Sequence, residues 1–134
     1  MVCIHCGNKT QVINSRSQRR MNQVWRRRQC LKCRAIFTTE ETVQYGAVWS
    51  IKDASGALQP FSRDKLFMSL YRSCQHRPNA LSDAGGLTDT IIRKVSALAE
   101  NGVVDRQAVA RVAHVALNRF DKAASVHYQA FHKA

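Results

Sequence analysis

Residues 25 to 33 read WRRRQCLKC, three consecutive arginines beside two thiols spaced as a metal-binding knuckle. The stretch decides the fold because a second such pair stands upstream. Cys3 and Cys6 form the first CxxC and Cys30 and Cys33 the second, with 23 residues between them. Each tight turn presents two sulfurs, and two turns packed together complete the tetrahedron of a four-thiolate site. A redox CxxC usually comes singly on a βα unit. The doubled pair therefore points to one structural Zn²⁺ held by Cys3, Cys6, Cys30 and Cys33. His5 lies inside the first knuckle but is surplus once four thiolates fill the shell. Cys74 stands alone among Leu66, Phe67, Leu70 and Tyr71, which share its helical spacing, and reads as a small buried side chain.

Residues 1 to 45 hold nine Lys or Arg against two Glu, a formal +7, while residues 46 to 134 hold twelve against seven acidic residues. Zinc with four thiolates carries a formal charge of −2, which brings the first segment to +5. Some arginine charge thus compensates the metal centre. It does not consume the whole cluster of Arg16, Arg19, Arg20, Arg26, Arg27, Arg28, Lys32 and Arg34. Arginine offers forked donors to phosphate, and almost no acidic residue here quenches them. In a strand Arg26 and Arg28 face one way and Arg27 the other, so the run decorates both faces of what reads as an edge strand. Edge protection and plain solvation are the alternative uses of such a run. The net charge of the whole chain, +12, favours a polyanionic partner. No apolar run approaches the roughly 18 residues of a membrane span, and cysteines stand where a signal peptide needs an apolar core. A soluble intracellular protein with no membrane partner is the expected class.

The first 45 residues show no helical stripe. Short strands at Gln11 to Asn14, Gln23 to Arg27 and Ile36 to Thr39 are linked by knuckles and turns. Few large apolar residues are available, so the metal has to supply the folding free energy, about 10 to 16 kcal/mol for zinc-finger peptides. From Val48 the pattern changes. AVWSIKDASGALQPF (47 to 61) reads as a hairpin turning at Gly56. Ser62 caps a helix running to about His76, ended by Pro78. A polar stretch with Gly85 and Gly86 reads as a loop. Ile91, Ile92, Val95, Leu98 and Ala99 mark a second helix, terminated by Asn101 and Gly102. Asp105 caps a third, with the stripe Val109, Val112, Ala113, Ala116, Leu117 and Phe120. Asp121 opens a short fourth, with Val126 and Phe131 turned inward. The fold class is α+β: a small zinc-bound β module over residues 1–45, then a mainly helical domain over 46–134 with a β-hairpin at its start.

Several stretches together resemble the NrdR family of bacterial transcriptional repressors of ribonucleotide reductase genes. VINSR (12 to 16) is similar to the family's VIDSR, RRRQCLKC (26 to 33) to RRRRxCxxC, and FTT (37 to 39) matches directly. PFSRDKL (60 to 66) resembles PFDREKL, HRP (76 to 78) resembles KRP, and FDK (120 to 122) resembles LDK. The resemblance spans nearly the whole chain and implies a DNA-binding zinc ribbon followed by an ATP-cone, a helical domain that takes ATP or dATP as effector. It implies a cytoplasmic bacterial protein, associated with the nucleoid, whose oligomeric state follows the nucleotide. By position, Arg16, Arg26, Arg27 and Arg28 would contact double-stranded DNA. Lys52, Gln59 and Lys65 would fall in the nucleotide site, where a Gly-containing turn beside a helix start offers converging cations and free amides. The chain departs from the pattern in the turn Lys52-Asp53-Ala54-Ser55-Gly56, where the family has K-R-D-G. It departs again at Gln59, where a glutamate is expected, and at Ser125 and His127, where a tyrosine and an arginine are expected.

No GxxxxGK[ST] loop and no nucleophile with base and orienter suggest turnover, so an enzyme is disfavoured. The competing reading is an adaptor whose ribbon docks on an acidic surface of RNA polymerase or of a reductase subunit.

Overall fold

The computed structural model describes residues 1–132. The chain divides into two compact units, Met1–Val43 and Gln44–Ala134. The first is a three-stranded antiparallel sheet of β1 (Thr10–Gln18), β2 (Gln23–Cys30) and β3 (Ile36–Glu41), in the order β1-β2-β3. The arginine run therefore lies on the central strand, not on an edge as its charge suggested. No apolar layer covers the sheet, so charge on the middle strand reaches solvent: Arg27 is exposed on one face, and Arg26 and Arg28 are half-buried on the other. A bulge at Ile13 separates Val12, which pairs with Arg28, from Asn14, which pairs with Arg27. Of the residues in this unit only Cys3 and Cys30 are buried. The unit has no apolar core.

The second unit begins with a single helical turn, α1 (Tyr45–Val48), unforeseen in the sequence, and then the expected hairpin of β4 (Ser50–Lys52) and β5 (Leu58–Pro60). β6 (Val103–Asp105) adds to the other side of β4 in parallel, giving the order β5-β4-β6. Helices α2 (Arg63–Cys74), α3 (Ala80–Ser96), α4 (Arg106–Phe120) and α5 (Lys122–Phe131) complete it. The core joins Trp49, Phe61, Leu70, Cys74, Ile91, Val95, Val104, Leu117 and Tyr128. Trp49 meets Phe61 edge to face, with ring centroids 5.5 Å apart, a favoured aromatic arrangement. Gly102 permits the approach of β6: its φ is +75°, and a Cβ there would lie 2.8 Å from the Val48 carbonyl oxygen.

Ser62, Asp105 and Asp121 cap helices as expected, accepting from the amides of Lys65, Gln107 and Ala124. Four expectations are corrected. Gly85 and Gly86 lie inside α3 rather than in a loop, because Ala84, Leu87 and Thr88 around them are buried and packing outweighs the cost of two glycines. That helix ends at Ser96, so Leu98 lies beyond it and stands exposed. Val126 and Phe131 point outward, 69% and 72% exposed. The inward face of α5 is Ala124, Ser125 and Tyr128, and Val126 sits about 200° around the helix from Ala124. Phe131 has a suitable phase but is the last residue of α5. Phe120 is also 39% exposed, its ring covered by the Arg77 guanidinium at 4.3 Å.

Arg77 and Asp121 fasten the helices. Arg77 donates to Asp83 at 2.8 Å and to Asp121 at 2.9 Å, and His76 Nε2 lies 3.0 Å from the same Asp121 carboxylate. The Ala124 amide, then His76 and Arg77, hold the Asp121 carboxyl far below the ordinary carboxylate range. A carboxylate whose folded pKa is lowered contributes stability above its unfolded value, near 3.9, and loses it as pH falls toward the folded one. Replacing Asp121 with Asn keeps the cap and removes the charge. Thermal melts of the helical signal should then show wild type losing stability as pH drops below about 5, and Asp121→Asn less stable at neutral pH with a flatter acid limb. Parallel acid limbs would refute the ion pairing.

Candidate metal centre, basic sheet and cavity

The two knuckles place their four sulfurs within 4.8 Å of one another. Cys3 Sγ lies 3.6 Å from Cys33 Sγ, and Cys6 Sγ 3.5 Å from Cys30 Sγ. Tetrahedral zinc with Zn–S bonds of about 2.3 Å puts its sulfurs about 3.8 Å apart, so the cluster has the size and donor set of a structural zinc site. Amides surround it. The backbone N–H groups of His5, Lys32 and Cys33 donate to Cys3 or Cys30 Sγ at 3.4 Å, and Asn8 Nδ2 to Cys6 Sγ at 3.3 Å. Such donors favour thiolate over thiol. The side-chain amide of Asn8, followed by its backbone N–H, lowers the Cys6 thiol to about 6. His5 contributes its backbone to this shell. Gly7, at φ +70°, supplies the left-handed turn that closes the first knuckle, and Arg34, at φ +62°, follows the second.

The pairing of β2 with its neighbours sorts the arginines by face. Arg26 lies opposite Ser15 and Thr39, and Arg28 opposite Val12 and Phe37. On this side Arg26 donates to Ser15 Oγ at 3.1 Å and pairs with Glu41 at 3.3 Å, while Arg28 donates to Thr10 Oγ1 at 3.4 Å. Both are half-buried. The other side carries Arg27 opposite Asn14 and Thr38, and Arg16 opposite Trp25. Arg16 and Arg27 are exposed, with no hydrogen-bonding or ionic partner among the described residues. The four sequence-predicted arginines therefore divide into two engaged within the sheet and two free.

In the helical unit a cavity of about 600 Å³ is lined by Gln59, Ser62, Lys65, Arg106, Tyr128 and His132, among others, a size suited to a small ligand. Gln59 and Lys65 meet there. Lys52 does not: it pairs with Leu58, whereas Ile51 and Gln59, the adjoining pair, face the cavity. The turn after Lys52 is also not the amide donor it promised to be. Asp53 Oδ1 accepts from the backbone N–H groups of Ser55 and Ala57, and the Gly56 amide donates to the Asp53 carbonyl. An acidic side chain consumes these donors because it stands where they converge. The Ser55 hydroxyl first, then the amides, lower the Asp53 pKa.

Arg106 is the cavity cation that sequence reasoning missed. It follows the Asp105 cap as the first residue of α4, and the available signal was only that of a helix start. Tyr128 of α5 and His132, the residue that follows its last turn, reach the wall and stack at 4.3 Å. Burial raises the Tyr128 phenol to about 12 and lowers His132. Ser125 and His127 serve packing instead. Ser125 Oγ lies 2.9 Å from His114 Nδ1, joining α5 to α4, and His127 Nδ1 lies 3.1 Å from Ser73 Oγ, joining α5 to α2.

Among the described residues no helix is long and apolar enough to cross a membrane. The family described as "Transcriptional repressor NrdR-like, N-terminal domain", a zinc ribbon, matches residues 1–41, the segment that holds the four-sulfur cluster and the arginine sheet. The whole chain also has relatives. It is 33% identical over 134 residues to the transcriptional repressor NrdR of Latilactobacillus sakei, covering 99% of this chain and 84% of that protein. It is 36% identical over 134 residues to the NrdR of Sphingopyxis alaskensis, covering 99% and 85%. With the NrdR of Streptococcus sanguinis the identity is 36% over 104 residues, covering 77% and 66%. These names are those of regulators rather than enzymes, and the zinc-ribbon match agrees with the sulfur cluster in assigning a structural zinc. The chain belongs to the NrdR family of transcriptional repressors.

Proposed function

We propose that the chain is a zinc-dependent repressor whose ribbon grips double-stranded DNA under the control of ATP or dATP bound in the helical unit. One observation carries the DNA reading: Arg16 and Arg27 stand exposed and unpaired on one face of the ribbon sheet. Forked guanidinium groups on an open sheet suit phosphate oxygens, and their charge is not spent internally as that of Arg26 is on Glu41. Cys3, Cys6, Cys30 and Cys33 hold the zinc, which fixes the strands that carry these arginines.

The cavity supports the nucleotide part of the reading. Lys65 and Arg106 are its cations, α2 begins at its wall with Ser62, and anions are favoured at helix starts. Gln59 offers an amide to the base or sugar. Nothing in the wall resembles a hydrolytic constellation, so the nucleotide is sensed and kept intact. Nucleotide binding changes how copies of the chain assemble and so how many ribbons meet the DNA together. Linked ribbons bind through effective concentration, which lets assembly alone switch affinity. Residues 1–43 act as the DNA-binding part and residues 44–134 as the nucleotide-binding and oligomerising part.

Three measurements test this. Metal analysis should find about one zinc per chain, since four thiolates fill one tetrahedral shell. Stripping it should collapse the amide dispersion of residues 1–43, and an ordered ribbon after chelation would remove the basis of the reading. Titration with ATP and dATP, read alongside mass, should show binding weakened roughly tenfold or more by Lys65→Glu, the scale of a lost charged contact. The oligomer should differ between nucleotide states; one mass in all states would end the proposed switch. Duplex affinity should fall with salt, with a slope near −0.9 per phosphate contact, and Arg27→Ala should reduce that slope by about 1. Failure to bind duplex in every nucleotide state defeats the DNA reading.

A further inference from the structure

The two faces of the ribbon sheet differ in more than their arginines. Across the open face, one row holds Arg16, Trp25 and Glu40 on the three strands, and the next row holds Asn14, Arg27 and Thr38. Neighbouring strands lie about 4.8 Å apart and residues two apart on a strand about 6.7 Å, so Arg16 and Arg27 are the immediate neighbours of Trp25. All six side chains of the two rows are exposed. Trp25 itself is 41% exposed, on the central strand of a sheet with no other aromatic residue on that face. The opposite face places Val24, Phe37 and Thr39 beside Arg26 and Arg28, all half-buried; there Arg26 is paired with Glu41 and Ser15, while Arg28 donates once, to Thr10, and its Nε is buried without a partner, out of reach of a ligand on the surface. A partner that needs free cations therefore has one face to choose, and Trp25 stands in its middle.

We infer that Trp25 is a base-contacting residue: the sheet presents its Trp25 face to a groove of duplex DNA, with the indole against the bases and Arg16 and Arg27 on the flanking phosphates. This rests on the DNA-binding reading above and names the face and the contact. Charge complementarity selects the occupant, because the neighbours are two unpaired guanidinium groups with Glu40 as the lone acid of the two rows. Composition selects the groove over the phosphate rail. Asn14 and Thr38 are side chains able to read base edges, and the indole among them, with a single N–H to offer a phosphate, gains most of its contact area against thymine methyls or an opened base step. Arg16 adjoins Trp25 across the strands and Arg27 adjoins it along its own strand, so two adjacent sides of the ring carry a guanidinium that can reach phosphate while the indole meets the bases.

The test separates base contact from phosphate contact in the full-length, zinc-loaded chain, with a mixed-sequence duplex at low salt as probe. Trp25→Ala should weaken duplex binding about tenfold or more while leaving the salt slope as in wild type, because no phosphate contact is lost. Arg27→Ala should lower the slope. Zinc content at the wild-type level in each variant certifies that the ribbon is intact, and Trp25→Phe should recover part of the affinity. Fluorescence gives a second readout without mutation: Trp49 is 7% exposed, so acrylamide quenching reports mainly on Trp25 and should fall when duplex is added. Duplex binding with unchanged affinity in Trp25→Ala and unprotected Trp25 fluorescence would overturn this inference and leave the DNA reading standing. No duplex binding by wild type would overturn both. Tighter binding of single strands than of duplex, with Trp25 protected, would make the ring a stacking platform and also overturn the groove assignment.

Discussion

Two sulfur atoms on one knuckle held against two on another are what the N-terminal unit has in place of a core. Cys3 and Cys30 are its only buried residues, and everything else between Met1 and Val43 touches solvent to some degree. A three-stranded sheet with no apolar partner layer has little hydrophobic free energy to set against chain entropy, and structural metals supply that deficit in small domains. The consequence for function is direct. Since no side chain of the sheet has to fill a closed core, polar residues can stand on both of its faces, and a strand as charged as WRRRQ can occupy the centre of a fold.

The helical unit solves the opposite problem. Its stability comes from a buried apolar cluster, and its polar groups are tied down, Asp53 in its turn, Asp105 and Asp121 at helix starts, and Arg77 between Asp83 nearby and Asp121 on a distant helix start. The departures from the family pattern after Lys52 and at Gln59, Ser125 and His127 fall on this side of the chain. Ser125 and His127 are matched by His114 and Ser73, hydroxyl to imidazole in both cases, so the changes are absorbed by contacts between helices. The cavity keeps a lysine from α2 and has an arginine from α4, two cations from different elements facing one space.

Much of this was legible because it rests on local chemistry. A doubled CxxC announces a metal site, and Ser62, Asp105 and Asp121 declare helix starts through side chains that reach only two or three residues onward. What was not legible depended on partners distant in the chain. β2 reads as an edge from its charge, and only its pairing with both β1 and β3 makes it central. Gly85 and Gly86 read as a loop, yet Ala84 and Thr88 bury their side of α3 and carry the helix through. β6 has three residues, too few for periodicity to register, and exists because β4 offers an open flank. Arg106 enters the cavity wall through the same tertiary placement. Lys52 and Gln59 look equivalent in sequence; the alternation of β4 and β5 separates them by one residue's parity.

The bulge at Ile13 has an evolutionary corollary. A single extra residue absorbed there lets Val12 and Asn14, two apart in sequence, project to opposite sides of the sheet, so odd and even positions exchange roles at that point. Losing one residue at the kink would straighten the strand and leave every downstream side chain on its present side. Losing one anywhere from Asn14 to Gln18 would swap the sides of the residues beyond it. Position 13 is thus where this ribbon can change length without scrambling its surface, a hinge for insertions and deletions in a strand that otherwise tolerates none.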